Sequence, residues 1–385
     1  MTLTDQLNRL AAFEPSPYPV VSLYLNTQPN QVGRDNFQAF VRKELKARAL
    51  TYPARSPERE MLERDMERIA RFLENDIQAS ANGVAIFACD AGELFETVQL
   101  NAPLDDHWLY VGDQPHLYPL ARLAAQFPRY AVVLADTQRT RILVMADGGV
   151  AADTAIDGVK TRRTSQGGWS QARYQRHIEN YHLLHIKEVV ATLEKIVTNE
   201  SIDRIVIAGD VVVLPLLREQ MSKPLAEKVV DELSLASDSA QDAVIKTTLE
   251  SLRKVDQDSD RAKVDAAVGA YRAGGLGVVG PDATLLALTN GQVDELLLTA
   301  SLANLKDLQA SRAAAMAIAN DAGIAEPAVE PSAAGEPARA EIGTVRLADE
   351  LVTKAHQTAA RVCFIEDATL LEPAGGVGAF LRFLA

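Results

Sequence analysis

Two adjacent glycines followed by a tryptophan, at residues 167–169, are the strongest chemical signal in the sequence. Without Cβ atoms, Gly167 and Gly168 can adopt positive φ and bring their backbone amides closer to a ligand than other residues can. Free amides at the start of a helix suit anions, and an exposed Trp169 could stack on a nucleobase. The residue types alone leave two interpretations open: a nucleic-acid contact, and a mobile glycine turn before an ordinary helix whose basic face is solvated.

Basic residues surround this glycine pair. Residues 158–187 hold six Lys or Arg and one acid, a net charge of +5, whereas the whole chain of 385 residues has a formal charge of −13. That overall charge argues against a protein that coats nucleic acid over its whole surface, so a polyanion would be met locally. The side chains expected to contact phosphates are Lys160, Arg162, Arg163, Arg173 and Arg176.

Hydrophobic periodicity predicts the elements that must hold this loop. A β-rich run at 130–136 and the apolar run from Arg141 predict two strands joined by a short turn. From about Gln171 to Val197, apolar residues keep an approximate 3.6-residue period and predict one long helix. A strand from Arg204 and a helix at 214–221 follow. The loop therefore lies between a strand pair and a long helix, in a central domain of residues 127–255.

The flanking segments also alternate between strands and helices. Residues 1–126 predict strands at 20–25, 83–89 and 94–100, with two antiparallel helices joined at an exposed tip. Residues 256–385 predict a helix through 264–271, further strands, and a flexible proline, alanine and glutamate insertion at about 325–340. The expected fold class is α/β, with three domains.

The run from Gly167 to Arg176 resembles the central motif of the archaeal and eukaryotic class-one peptide chain release factors. In that motif, Gly-Gly-Gln precedes a serine, an Arg-aromatic pair and a second arginine on the same helix. The strand at Val21 with its helical hairpin looks like the first domain of that superfamily. Residues 264–279, together with the ending 375–383, look like its third domain, which has the fold of kink-turn-binding ribosomal proteins.

This resemblance covers nearly the whole chain. The members of the superfamily that this sequence resembles include the bacterial branch, pelota and the hibernation factor Balon. It implies a translation factor that enters a vacant ribosomal A site and meets ribosomal RNA and peptidyl-tRNA. Whether a translational GTPase delivers the protein stays open. The hairpin tip, 52–57, reads Tyr-Pro-Ala-Arg-Ser-Pro where release factors carry a codon-reading Asn-Ile-Lys-Ser loop. Stop-codon reading is therefore not expected.

Trp169 stands where the resembled family has its catalytic glutamine, which positions the water that attacks the peptidyl-tRNA ester. The backbone N–H of residue 169 could still donate to the oxyanion or to the leaving ribose hydroxyl. Gln166 and Gln171 flank the loop and are candidates for holding the water. Two outcomes stay open: peptidyl-tRNA hydrolysis in release or rescue, and ribosome occupancy without chemistry in hibernation or rescue.

Three further interpretations compete with this one. The chain could be a non-ribosomal interaction module that shares only the fold. Residues 275–280 fit the dinucleotide pattern G-x-G-x-x-G, but a helix precedes them, so a strand between glycine turns and no cofactor are expected. His182, His185 and Glu188 drift around the helix, so no metal site is expected.

Composition indicates the compartment. The apolar runs fall far short of the roughly 20 residues that span a bilayer, and the first residues lack a basic region followed by an apolar one. Only two cysteines occur, Cys89 and Cys363. We expect a cytoplasmic protein with reduced thiols and no membrane partner.

Overall fold

The computed structural model describes residues 2–29, 37–136, 139–157, 171–210, 212–305 and 339–384, without the side chains of 171–181, 304 and 339–342. The chain divides into two compact units. The outer unit combines Met1–Gln126 with Gln257–Ala385, and the central unit is Phe127–Asp256. The predicted α/β class is confirmed, because helices pack on several sheets. The division of the outer unit into a first and a third domain stays a prediction.

The first sheet of the outer unit is fully antiparallel, in the order β3-β2-β1-β4. Its strands are β1 Val20–Asn26, β2 Gly83–Cys89, β3 Leu94–Leu100 and β4 Trp108–Gly112. Its helices are α1 Leu3–Ala11, α2 Phe37–Ala49, α3 Pro57–Asn75 and α4 Tyr118–Gln126. The buried face of α2 and α3 meets alternate residues of β1 and β2, such as Leu23 and Ile86, as the period of two in a strand requires.

The predicted helical hairpin with an exposed tip is confirmed. Ser56 begins α3, because its hydroxyl accepts from the Arg59 backbone N–H at 3.3 Å and Pro57 takes the first helical position. Leu50 is 60% exposed at the end of α2, and Arg55 adopts a φ of +65°. Neither β4 nor α4 was predicted from the sequence. In β4 only Val111 is buried, whereas the other four residues are exposed or half-exposed.

The central unit contains a mixed five-stranded sheet in the order β7-β6-β5-β8-β9. Its strands are β5 Tyr130–Ala135, β6 Arg139–Ala146, β7 Gly149–Asp157, β8 Ile205–Gly209 and β9 Val229–Leu233. Strands β5, β8 and β9 are parallel, whereas β6 and β7 are antiparallel to their neighbours. Its helices are α5 Gln171–Asn199, α6 Val213–Gln220 and α7 Lys223–Ala226, and α8 Gln241–Arg272 begins in this unit.

Both faces of this sheet are covered. Val133 and Ile207 pack with α5 and α6 on one face, and Val132 and Val206 pack with the start of α8 on the other. Double coverage explains why β5 and β8 are continuous apolar runs and were predictable. The sequence did not predict β7, β9 or the first part of α8. That part of α8 buries only a narrow stripe, such as Val244, among polar residues, so the prediction of a helix confined to 264–271 was too short.

The last sheet, in the outer unit, has the order β10-β13-β11-β12, with β11 and β12 parallel. Its strands are β10 Gly277–Val279, β11 Val293–Thr299, β12 Arg361–Ile365 and β13 Val377–Leu381. Its helices are α9 Pro281–Thr289, α10 Arg339–Gln357 and α11 Ala368–Leu371. Most of the predicted flexible insertion, 325–338, lies outside the described residues.

The glycine pattern at 275–280 is a strand between turns, as predicted. Helix α8 ends at Arg272, β10 occupies Gly277–Val279, and Gly280, with a φ of +92°, precedes α9. A Cβ at residue 277 would lie 2.4 Å from the Ala267 carbonyl oxygen. This glycine therefore serves the packing of β10 against α8.

Both cysteines are free, Cys89 fully buried in β2 and Cys363 half-buried in β12. Among the helices that the structure describes, none is long and apolar enough to cross a membrane.

Candidate functional site

The predicted site lies on the segment between β7 and α5 of the central unit. Seven of its ten residues fall in 158–170, outside the described residues: Lys160, Arg162, Arg163, Gln166, Gly167, Gly168 and Trp169. Gln171, Arg173 and Arg176 lie in the first turns of α5, where the helical backbone is described and the side chains are not. The predicted helix start at about Gln171 is confirmed. The roles of these ten residues stay predictions.

The described elements fix both ends of this segment. Strand β7 pairs with β6 in antiparallel register as far as Asp157 opposite Arg139, and α5 starts at Gln171. The second half of α5 is anchored in the core of the central unit, where Val189 and Leu193 are fully buried. Burial at this helical spacing follows the pattern of the sequence. The core of the central unit therefore holds the second half of α5.

Charges on the β6–β7 hairpin are matched. Arg141 donates to Asp153 at 2.7 Å, and Arg139 lies 3.5 Å from Asp157. These exposed pairs contribute little stability, but each arginine already faces a carboxylate. The described part of α5 adds the exposed Lys187.

His185 is the buried polar side chain of α5. Its Nε2 lies 3.1 Å from the hydroxyl of Thr140 on β6, and both side chains are buried. Burial lowers the pKa of His185 below its ordinary value, and the nearby charge of Glu188 opposes that shift only partly. The imidazole is therefore neutral at pH 7. No atom of the described residues bonds to its buried Nδ1.

A small pocket of about 10 Å³ lies beside this histidine, at the carboxyl end of β5. It is lined by Asp136, His182, His185, Ile186, Val213 and Leu216. Its volume suits about one water molecule. Among the described residues, no group of three or more His, Cys, Asp or Glu side chains lies close enough together to hold a metal ion. The absence of a metal at His182, His185 and Glu188 stays a prediction.

Sequence reasoning missed the polar contacts at the carboxyl ends of β5 and β8. Asp136, predicted only as part of a turn, accepts from the Arg139 N–H at 2.6 Å and from the Ser237 hydroxyl. Gly209 ends β8 with a φ of +153°, and a Cβ there would lie 1.9 Å from the Ala135 carbonyl oxygen. A strand that ends in Gly-Asp was the available signal, since the Asp210 side chain accepts from the Val212 N–H in the turn that precedes α6.

Comparison with known proteins finds a family that contains the elements of the central unit. Residues 115–253 match the model of a family described as bacterial archaeo-eukaryotic release factor family 10. The resemblance to release factors is confirmed. The match covers a little over a third of the chain. It includes all five strands of the central sheet and the whole of the 158–170 segment.

Other similarities extend along the chain. An uncharacterized protein of Bacillus subtilis strain 168, YocB, is 26% identical over 250 residues, which are 60% of this chain and 94% of that protein. The archaeal translation termination factor aRF1 is 15% identical, covering 100% of this chain and 99% of its own, with a TM-score of 0.26. Pelota of Archaeoglobus fulgidus is 13% identical, covering 99% of this chain and 92% of its own, with a TM-score of 0.33. Dom34 of S. cerevisiae is 9% identical, covering 79% of this chain and 79% of its own, with a TM-score of 0.41.

Proposed function

We propose that this protein is a ribosome-binding translation factor that places Gly167, Gly168 and Trp169 at the peptidyl-transferase centre without reading a stop codon. Its role would be ribosome hibernation or rescue. The observation that carries the proposal is the family match over 115–253, because that range contains the Gly-Gly-Trp segment and the helix behind it. The partners would be ribosomal RNA and peptidyl-tRNA in the A site, and the protein would act in the cytoplasm.

The charge distribution supports RNA contact at this segment. The five basic residues at positions 160, 162, 163, 173 and 176 lie in a chain that is otherwise acidic. Arg139 and Arg141 of the neighbouring hairpin already face aspartates. Phosphates would therefore meet the 158–176 window rather than β6. Contacts of this kind make affinity fall steeply with salt.

The chemistry at the tip favours occupancy over hydrolysis. The indole of Trp169 replaces the side-chain amide that positions water in the resembled family, and it is larger than that amide. One oxyanion donor, the backbone N–H of residue 169, is kept, and a donor of this kind contributes roughly 3 to 4 kcal/mol where one has been removed from an enzyme. That contribution aids hydrolysis only if another group, such as the amide of Gln166 or Gln171, holds the attacking water, and these amides lie three and two residues away from the family's position.

The hairpin tip supports the absence of codon reading. It carries Pro53 and Pro57 around Arg55, which adopts a φ of +65°. This sequence has no Asn-Ile-Lys-Ser. We therefore expect ribosome binding that does not depend on the codon in the A site.

Sedimentation with purified ribosomes at several salt concentrations tests the binding. With up to five phosphate contacts at about 0.7 each, the logarithm of the association constant should fall with a slope of up to about −3.5 against the logarithm of salt. Arg163→Ala should make this slope shallower by about 0.7. Lys223→Ala, an exposed lysine on α7, is the matched control and should leave it unchanged. Absence of co-sedimentation at low salt would refute the proposal and favour an interaction module that shares only the fold.

Release of labelled peptide from peptidyl-tRNA on ribosomes tests the chemistry. We expect the wild-type protein to release no more label than buffer does, although it binds. Release that is lost in Gly168→Ala, while that variant still binds, would overturn occupancy without chemistry. Gln166→Ala and Gln171→Ala would then show which amide holds the water.

A further inference from the structure

A buried polar network joins the two sequence segments of the outer unit. At its centre is the carboxylate of Asp349 on α10, which is 7% exposed. One oxygen accepts from His116 Nδ1 at 2.6 Å. The other accepts the backbone N–H groups of Leu117 and Tyr118 at 2.9 and 3.0 Å. A side chain of the C-terminal segment therefore satisfies the free amides at the start of α4 in the N-terminal segment.

His116 extends the network into the first sheet. Its backbone N–H donates to the Ser22 hydroxyl at 2.9 Å, and its carbonyl oxygen accepts from the Tyr24 hydroxyl at 2.6 Å. Its ring, 2% exposed, lies 4.9 Å from the Tyr110 ring. Strand β1, the start of α4 and helix α10 thus share one set of hydrogen bonds, and the Tyr110 ring of β4 packs against it.

Two further hydrogen bonds connect the N-terminal and C-terminal segments of the outer unit. Tyr118 donates to the carbonyl oxygen of Thr299 at the end of β11, at 2.9 Å. Gln357, the last residue of α10, donates to the Ala11 carbonyl oxygen at 2.7 Å. Helix α1, whose Leu3, Leu7, Leu10 and Ala11 are buried, also contacts α10.

The chemistry makes the network all-or-none. A buried carboxylate costs much free energy unless its oxygens are paired, and the loss of one partner leaves an uncompensated polar group in the core. Asp349 has its partners only when residues 116–118 are folded. The amides of α4 have theirs only when α10 is in place.

We propose that residues 1–126 and 257–385 form one cooperative folding unit that is latched by Asp349, with residues 127–256 inserted into its sequence. The two segments then open and close together. A molecule that binds only the α2–α3 hairpin stabilises α10 by the same free energy, because the hairpin and α10 unfold in the same opening. The latch is therefore a device that couples the N-terminal hairpin to the C-terminal sheet.

Hydrogen exchange of the full chain, read by mass spectrometry, tests this coupling. In Asp349→Ala, amides of β1, α4, α10 and β11 should all exchange at least 10-fold faster than in the wild type, while those of β5 and β8 keep their rates. The matched control is Asp113→Asn. It breaks an exposed ion pair with Arg346, 3.0 Å long, between the same two segments, and should change rates by less than 2-fold.

Faster exchange confined to α10 and β11, with β1 and α4 unchanged, would overturn the proposal. A second measurement covers the case in which Asp349→Ala does not fold. In wild-type protein at increasing urea, the slowest amides of β1 and of β11 should converge on one opening free energy with one urea dependence. Two separate openings would refute a single unit without the use of any variant.

Discussion

Asp65 offers the sharpest test of the packing in the outer unit. Its carboxyl group lies on the inner face of α3 and is fully buried. One oxygen accepts the Asp90 N–H at 3.1 Å, and no atom of the described residues bonds to the other. Burial raises its pKa from 3.8 to about 6, and the charge of Asp90 adds to this rise. Replacement by Asn removes the titration and keeps the shape.

The sign of the pH effect follows from this shift. A folded pKa above the unfolded one means that the folded protein holds the proton more tightly. The resulting stabilisation is complete below pH 3.8 and is lost as the pH rises through 6. For a pKa of 3.8 unfolded and about 6 folded, the contribution at pH 5 exceeds that at pH 8 by about 1.4 kcal/mol. The free energy of unfolding of the wild type relative to Asp65→Asn should therefore rise by this amount on acidification.

Urea unfolding at pH 8 and pH 5 measures this difference. The chain has two tryptophans, so a Trp169→Phe background leaves Trp108 on β4 as a fluorescence reporter of the outer unit. Glu67→Gln, on the exposed face of the same helix, is the control and should follow the wild type. If the difference between wild type and Asp65→Asn is equal at the two pH values, or larger at pH 8, the assignment of a raised pKa to this burial is wrong.

Gly209→Ala should lower the free energy of unfolding of the central unit by about 3 kcal/mol, because the added Cβ would lie 1.9 Å from the Ala135 carbonyl oxygen. An unchanged central transition in calorimetry would contradict this steric argument. Gly269→Ala, where no atom lies within 4 Å on the exposed side of α8, should instead stabilise the protein by about 0.5 to 1 kcal/mol. Thr140→Val removes the partner of His185 Nε2 and should cost about 1 to 2 kcal/mol in urea unfolding at pH 7. An unchanged urea midpoint would show that this hydrogen bond does not hold α5 on β6.

The sequence predicted those elements whose burial pattern is unambiguous. Strands such as β2 and β8 are buried on both faces, so they appear as unbroken apolar runs. Helix α3 was predictable because its apolar stripe and its Ser-Pro start agree. Strand β7 escaped prediction because most of its residues are exposed or half-exposed, so nothing in its hydrophobicity separates it from a loop.

Features that depend on tertiary contacts could not be predicted from the sequence. The Gly-Gly-Trp segment was found from local residue types and from a resemblance that the family match bears out. The pairing of Asp136 with Ser237 joins residues 101 positions apart, and that of His116 with Asp349 joins residues 233 apart. No local periodicity predicts such pairs, because they depend on which strands become neighbours.

The unequal burial of the two thiols has a practical use. Cys89 is fully buried in β2, whereas Cys363 on β12 is half-buried, and burial raises the pKa of the Cys363 thiol. A maleimide dye or a nitroxide applied at alkaline pH should therefore attach to Cys363 before Cys89 in the folded wild-type protein, so the last sheet can be followed spectroscopically without the deletion of any cysteine.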